Sequence, residues 1–252
     1  MKTSTVGKVL LVVFVTALCI GASTDQKGTK EAPKTAQKTV DSGSFGIFVN
    51  GKRIGTETFR IDQGSDGNVA SSQIKVDDGS AKAEQNAEMR FGADGNLRQY
   101  SWHSTLPLKE ESIIEPNNEF LVEHITFADQ KKQTVPYILP LSTVILDDNF
   151  FSHREILVWR YLATGCVPQN GHLHCSPTQF GTLVPHQHLS GSVTVELMGR
   201  DKIAVRGIEK ELNKVQVTAD GVQWLLWVGD EGDSFRVIKM TVAANNVEII
   251  RD

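Results

Sequence analysis

Six Asn-Gly or Asp-Gly pairs punctuate the chain: Asn50-Gly51, Asp66-Gly67, Asp78-Gly79, Asp94-Gly95, Asn170-Gly171 and Asp220-Gly221. Asn, Asp and Gly tolerate the positive φ that tight hairpin turns require at their central residues. Several pairs are flanked by alternating apolar residues, the strongest local hairpin signal. Phe45, Ile47 and Val49 alternate, Asn50-Gly51 turns, and residues 54–61 return. Further strand-like runs lie at residues 69–76, 81–91, 97–103, 109–114 and 119–127. Others lie at 192–197, 202–208, 214–218, 222–228, 235–242 and 247–250. Connections this short exclude parallel crossovers, which need roughly a dozen residues or more. There is no βαβ alternation and no glycine-rich phosphate loop. The pattern predicts an all-β domain over residues 44–252, built on a curved antiparallel sheet.

Two segments need arbitration. In residues 81–91, Ala81, Ala83, Ala87, Met89 and Phe91 share one parity, and Lys82, Glu84, Asn86, Glu88 and Arg90 take the other. The composition suits a helix, but strict alternation between turns favours a strand with one wet face. Residues 148–162, DNFFSHREILVWRYL, break the β pattern. They predict one central helix capped by Asp148 or Asn149 and stopped by Gly165. Phe151, Val158 and Leu162 fall near one face, and Phe150, Leu157 and Tyr161 near another. An apolar surface that broad calls for burial on more than one side.

The first 43 residues are different material. Residues 1–22 read as a signal peptide: Lys2 and Lys8, an apolar run over residues 9–15, then Gly21-Ala22 before Ser23. The alternatives are an uncleaved anchor, or lipidation at Cys19, against which Leu18 stands where a small residue is wanted. Loss of this segment removes two lysines and no acid, moving the net charge from −4 to −6. An acidic chain gains no counterion-release term, so nucleic acid is excluded as a partner. Residues 23–43 hold Lys27, Lys30, Lys34 and Lys38, with Val40 as the one large apolar side chain. Such a stretch cannot offset its ordering entropy and is expected to be a flexible linker.

Four phrases carry a family resemblance: GSFGIFVNGKRIGTETFRI, VILDDNFFSHREILVWRYL, LVPHQ…GSVTVEL and VQWLLWVGDEGDSFRVIKMTVAANNVEIIRD. Together they cover most of residues 44–252. They resemble a group of bacterial exported β-rich proteins of unknown function, similar in fold to the periplasmic lipoprotein-localisation carriers. The resemblance implies an open half-barrel with helical material on its concave side. It carries no catalytic residue.

Cys166 and Cys175 are the only cysteines left once the signal is removed, and an even pair in an exported chain predicts a disulfide. Pro168 and Asn170-Gly171 let the enclosed loop turn back. His172 and His174 straddle Leu173, and His186 and His188 straddle Gln187. On strands each pair would share a face and could hold a transition metal. The plainer reading makes them exposed loop histidines beside the disulfide. Catalytic signals are thin. His103 has no nucleophile elbow near it, and Asp147-Asp148 and Glu110-Glu111 are adjacent, hence on opposite faces of a strand. Asp230, Glu231 and Asp233 suit a turn. We expect no enzyme and no cofactor.

The strand VQWLLWV at residues 222–228 is apolar on both parities, with Trp224 on one side and Trp227 on the other. Both faces must therefore be covered. Ala83 and Ala87 offer a strip of small side chains on the other half of the sheet, leaving room for an apolar guest. The leading expectation is an uncharacterised exported cell-envelope protein, periplasmic or secreted. It binds a lipid or other apolar ligand at Ala83, Ala87, Trp224 and Trp227. The alternatives are a structural or interaction module with a filled core and an envelope protein as partner, or a metal-binding protein using residues 172–188.

Overall fold

The computed structural model describes residues 37–147, 149–169, 172–231 and 234–252. Asn50-Gly51 takes φ 51° and 77°, and Asp220-Gly221 takes 48° and 78°, the double positive φ of type I′ hairpins. Arg206-Gly207 does the same at 53° and 78°. That turn interrupts the strand expected at 202–208. Gly207 supplies the permissive residue, but Arg in place of Asn or Asp hides the signal. Asn170-Gly171 lies outside the described residues.

The described residues begin in the middle of the sheet and run outward. The strands are β1 (Lys38–Val49), β2 (Lys52–Gly64), β3 (Gly67–Asp77), β4 (Lys82–Phe91), β5 (Leu97–Leu106), β6 (Glu110–Asn117), β7 (Phe120–Thr126) and β8 (Lys132–Tyr137). The chain crosses to the far edge through β9 (Val144–Ile145) and the helix α1 (Ser152–Gly165). A separate hairpin follows, β10 (Cys166–Gln169) with β11 (His172–Cys175). The return runs inward through β12 (Thr178–Val184), β13 (Leu189–Val205), β14 (Ile208–Ala219), β15 (Val222–Glu231), β16 (Ser234–Val242) and β17 (Val247–Arg251). Strand β17 pairs antiparallel with β1, so the two ends of the domain zip together at its centre. One sheet of 15 strands results, antiparallel throughout except where β9 lies parallel to β12. Its edges, β8 and β9, do not pair with each other. The fold is mostly β with one helix, a large curved sheet that stays open.

The curl is visible in side chains. His188, in the turn between β12 and β13, reaches Glu123 of β7 at 2.9 Å and Glu110 of β6 at 3.2 Å. The two halves of the sheet therefore meet without closing a backbone ladder. Helix α1 lies within the curl. Leu157, Val158 and Tyr161 are fully buried, and they pack with Phe45, Ile61, Tyr100, Ile114 and Met240 from the concave face. The expectation of burial on several sides holds.

Strand β4 has the alternation read from its sequence. Gln85, Ala87 and Met89 are buried, while Lys82 and Arg90 are exposed. Both faces of β15 are covered, as required. Leu226 and Val228 face the main core. Trp227 lies in a second cluster with Val205, Leu212 and Ile238. That cluster exists because the β13–β14 hairpin outruns β15. Its outer part, beyond a bulge between Leu197 and Gly199, covers the convex side.

Two boundaries differ from expectation. Strand β1 begins at Lys38, inside the stretch read as a linker over 23–43. Asp41 is the reason: it is 4% exposed and bound by Arg251, and this long-range ion pair is invisible in local composition. The helix starts at Ser152 rather than at residue 148, and no side chain of its own segment caps it. Asn149 donates instead to Gln85, and Asp148 lies outside the described residues. The cap comes from β2. Glu57 accepts the N–H groups of Phe151 at 2.7 Å and Ser152 at 3.3 Å, satisfying donors that a buried first turn cannot give to water.

Candidate functional site

The first helical turn reads Ser152-His153-Arg154-Glu155, and all four side chains are buried. Buried polar groups need partners, and the sheet supplies them. Ser152 Oγ meets Ser72 Oγ at 2.7 Å. His153 Nδ1 accepts the Asp147 N–H, so its proton sits on Nε2, and burial lowers its pKa to about 4, leaving it neutral. Arg154 lies 3.9 Å over the Trp224 ring, a cation–π contact in a desolvated site. Glu155 meets Arg251 at 3.0 Å and accepts the Val237 N–H. Burial, then a hydrogen bond with Asp41, raise the Glu155 carboxyl well above the usual range, whereas Arg251 helps hold Asp41 below it. Burial pushes Glu57 up to about 7, although Ser152 and Phe151 pull it down.

A second group surrounds Asp147, which has no exposure. It faces His186 Nδ1 at 2.7 Å and accepts from Tyr100 Oη at 3.2 Å and from the Asn149 N–H. Burial opposes its charge, but the His186 hydrogen bond and charge hold the carboxyl below its usual value. His186 Nε2 meets the Gln187 amide at 3.2 Å. Glu123, also buried, binds Ser112, Tyr137 and His188. These groups fasten the β12–β13 turn and α1 to the first half of the sheet.

Cys166 and Cys175 face each other across β10 and β11 and form the expected disulfide. With both sulfurs bonded to each other, neither is a thiolate ligand in this structure. The histidines separate. His174 is exposed on β11, and the side chain of His172 lies outside the described residues. His186 and His188 are not on a strand: Pro185 opens a 3₁₀ turn ending in His188 at φ 53°. Each of the two binds its own carboxylates. Among the described residues no three His, Cys, Asp or Glu side chains converge as a metal would need.

Loss of the disulfide should cost stability. Freed of this cross-link over a nine-residue separation, the Cys166→Ala/Cys175→Ala variant should be less stable by about 2–3 kcal/mol in urea unfolding. The non-reduced, denatured protein, with residues 1–22 removed, should show no titratable thiol. Two thiols there, or unchanged stability, would contradict the bond.

The four residues expected to hold an apolar guest do not come together. Ala87 is buried and paired with Ser72 on β3, where α1 docks through Ser152. Ala83 is half-buried on the same strand. The small side chains do leave room, and the first turn of α1 takes it. Trp227 lies on the convex side, where its Nε1 donates to Asp201 at 3.2 Å. Trp224 alone lines a cavity of about 370 Å³. This opens at the end of the concave face, where the β12–β13, β14–β15 and β16–β17 connections meet. Its apolar wall includes Leu146, Val184, Trp224, Val242 and Val247. Leu189 and Val222, at its mouth, are 56% and 43% exposed. A smaller apolar cavity of about 220 Å³ lies between α1 and the β3–β5 ends, beside Met89, Ile156 and Trp159. A shallow depression of about 550 Å³ lies on the β2–β5 strands, with Arg60, Gln73, Asn86 and His103 among its lining residues.

Sequence reasoning missed Glu57 and Asp41, and it weighed Asp147 only as one of an adjacent acidic pair and Arg154 only as part of the helix. The charged SHRE step inside an apolar helix was the signal that buried partners must exist elsewhere in the fold. No helix of the described residues is long and apolar enough to cross a membrane. No family model and no curated protein matches the sequence. Among solved structures, the chain is similar to a β-barrel-like protein of domain of unknown function DUF1849 from Brucella abortus. The TM-score is 0.54 at 9% identity, over 86% of this chain and 95% of that one. A likeness at that identity speaks for the fold: an open, barrel-like β-sheet shared with a protein of unknown function.

Proposed function

We propose that the protein is a non-enzymatic, exported protein of the cell envelope that holds an apolar ligand in the cavity beside Trp224. The signal-like residues 1–22, the disulfide and the resemblance to exported β-rich proteins of unknown function support export. The observation that carries ligand binding is the cavity itself. It is walled by aliphatic side chains and one tryptophan, with a few polar groups at its mouth, the usual make-up of a small-molecule site. Its volume of about 370 Å³ suits one chain or one small ring system. The site differs from the one expected: α1 occupies the middle of the concave face, and the cavity is what it leaves at one end. The polar groups around the helix position this floor, since Arg154 and Phe151 pack on Trp224.

The test is a titration with N-phenyl-1-naphthylamine, a neutral apolar fluorophore, together with native mass spectrometry of protein purified from an exporting host. Ala219 lines the cavity, and Ala219→Phe would fill it. Saturable binding is expected, weakened about tenfold or more in Ala219→Phe, with circular dichroism and Tm showing that the variant is folded. Absence of saturable binding, with a bare native mass, would overturn ligand binding. The burial of α1 favours a second reading, an interaction module with a filled interior, and that outcome would support it.

A further inference from the structure

The mouth of the cavity has a chemistry distinct from its wall. Gln187, Asp220 and Asn245, from the three connections that frame the opening, and Ser190, at the start of β13, stand there. Among the described lining residues Asp220 is the one that carries a charge. It is exposed, in the type I′ turn between β14 and β15. Its carboxylate leans across β13: a Cβ built on Gly191 would stand 3.4 Å from Asp220 Oδ1. No ion pair joins it to a described Lys or Arg. Arg154 is stacked behind the wall on the Trp224 ring at 3.9 Å and does not itself line the cavity.

We infer that the cavity selects a single-chain amphiphile with a cationic head, an alkylammonium in chemical class, over one ending in carboxylate or phosphate. The inference rests on the cavity being an apolar site. The chain enters among Leu146, Val184, Val242 and Val247. The head stays at the mouth, facing Asp220 and the Gln187, Ser190 and Asn245 side chains. A volume near the lower end of ligand pockets, which run roughly 300–1,000 Å³, takes one chain and excludes the paired chains of a phospholipid. A carboxylate or phosphate head would instead face the Asp220 carboxylate across a short gap. Like charges repel there, and the partial exposure of the mouth limits the effect to a moderate factor.

The experiment displaces N-phenyl-1-naphthylamine from the purified protein at low ionic strength. The competitors are decyltrimethylammonium and decanoate, each below its micelle concentration. The ammonium is expected to compete about tenfold more tightly than the carboxylate, with the ratio shrinking as salt screens the charges. Asp220→Asn should narrow the ratio to about threefold or less, since it keeps the shape and removes the charge. Equal affinities, a preference for decanoate, or an unchanged ratio in Asp220→Asn would overturn the inference and leave the cavity standing as an apolar site. Failure of the fluorophore to bind the unaltered protein would overturn the cavity reading, and this inference with it.

Discussion

Arg251→Ala should lower the unfolding free energy by about 3–5 kcal/mol, the usual result of stripping one partner from a buried ion pair. Arg251 is the last residue of β17, yet its side chain is only 12% exposed. Its Nη2 bonds both oxygens of Asp41 on β1, at 2.6 and 2.5 Å, and its Nη1 meets Glu155 of α1 at 3.0 Å. The guanidinium also lies over the Phe59 and Phe45 rings, at 5.1 and 5.7 Å. One side chain thus ties the first strand, the last strand and the helix. Its removal leaves the buried Asp41 carboxylate with only the longer cation contact to Arg236 Nε at 3.4 Å, and leaves Glu155 without its cation. Urea unfolding at neutral pH measures the loss. Arg251→Met retains much of the packing on the two rings, so the difference between the variants isolates the charge. A loss under about 1 kcal/mol, typical of exposed pairs, would show that Arg251 does not hold the seam.

Glu57 should make stability fall as the pH rises from about 4.5 to about 7. The folded carboxyl titrates near 7, whereas the unfolded one has the ordinary value of 4.5. Between those limits the folded state holds a proton that the unfolded state has shed. This contribution is therefore complete below 4.5 and is lost as the pH climbs to 7, amounting to about 3 kcal/mol. Other carboxyls add slopes of both signs: Glu155 is raised, while Asp41 and Asp147 are lowered. The informative quantity is the stability of the unaltered protein minus that of Glu57→Gln, followed from pH 4.5 to 8. Glutamine keeps an oxygen for the Phe151 and Ser152 N–H groups but cannot titrate. The difference should decline with pH and level off above 7. A flat difference would mean that Glu57 titrates alike in both states.

The repetitive part of this fold is local chemistry, and it was legible. Asn50-Gly51 and Asp220-Gly221 make the turns their positive φ permits. The alternation in β4 decides which side chains face the core. The two apolar parities of VQWLLWV demanded cover on both sides of β15, and α1 and the β13–β14 hairpin provide it. The cysteine pair was readable because nine residues of chain, with turn formers between, bring the sulfurs together.

The candidate site was not legible in the same way. Trp224 was identified, but Trp227 was joined to it although parity puts the two on opposite faces, and Ala83 and Ala87 were joined to it for their small size. Parity does not say that α1 docks on the small residues of β3 and β4, or that the outer part of the β13–β14 hairpin is what covers Trp227. The helix cap joins residues 94 apart, the His188–Glu123 bond residues 65 apart, and the Arg251–Asp41 pair residues 210 apart. Sequence by itself determined most of the strands and turns, the central helix and the cysteine pair, because each depends on torsional preferences and periodicity within a few residues, while β8 to β12 and the Arg206-Gly207 turn came only with the structure. Only the tertiary structure decided which carboxylates are buried, what caps the helix and where a cavity remains. Those follow from the curl of the whole sheet, which brings distant side chains into a low-dielectric interior where each polar group must find a partner.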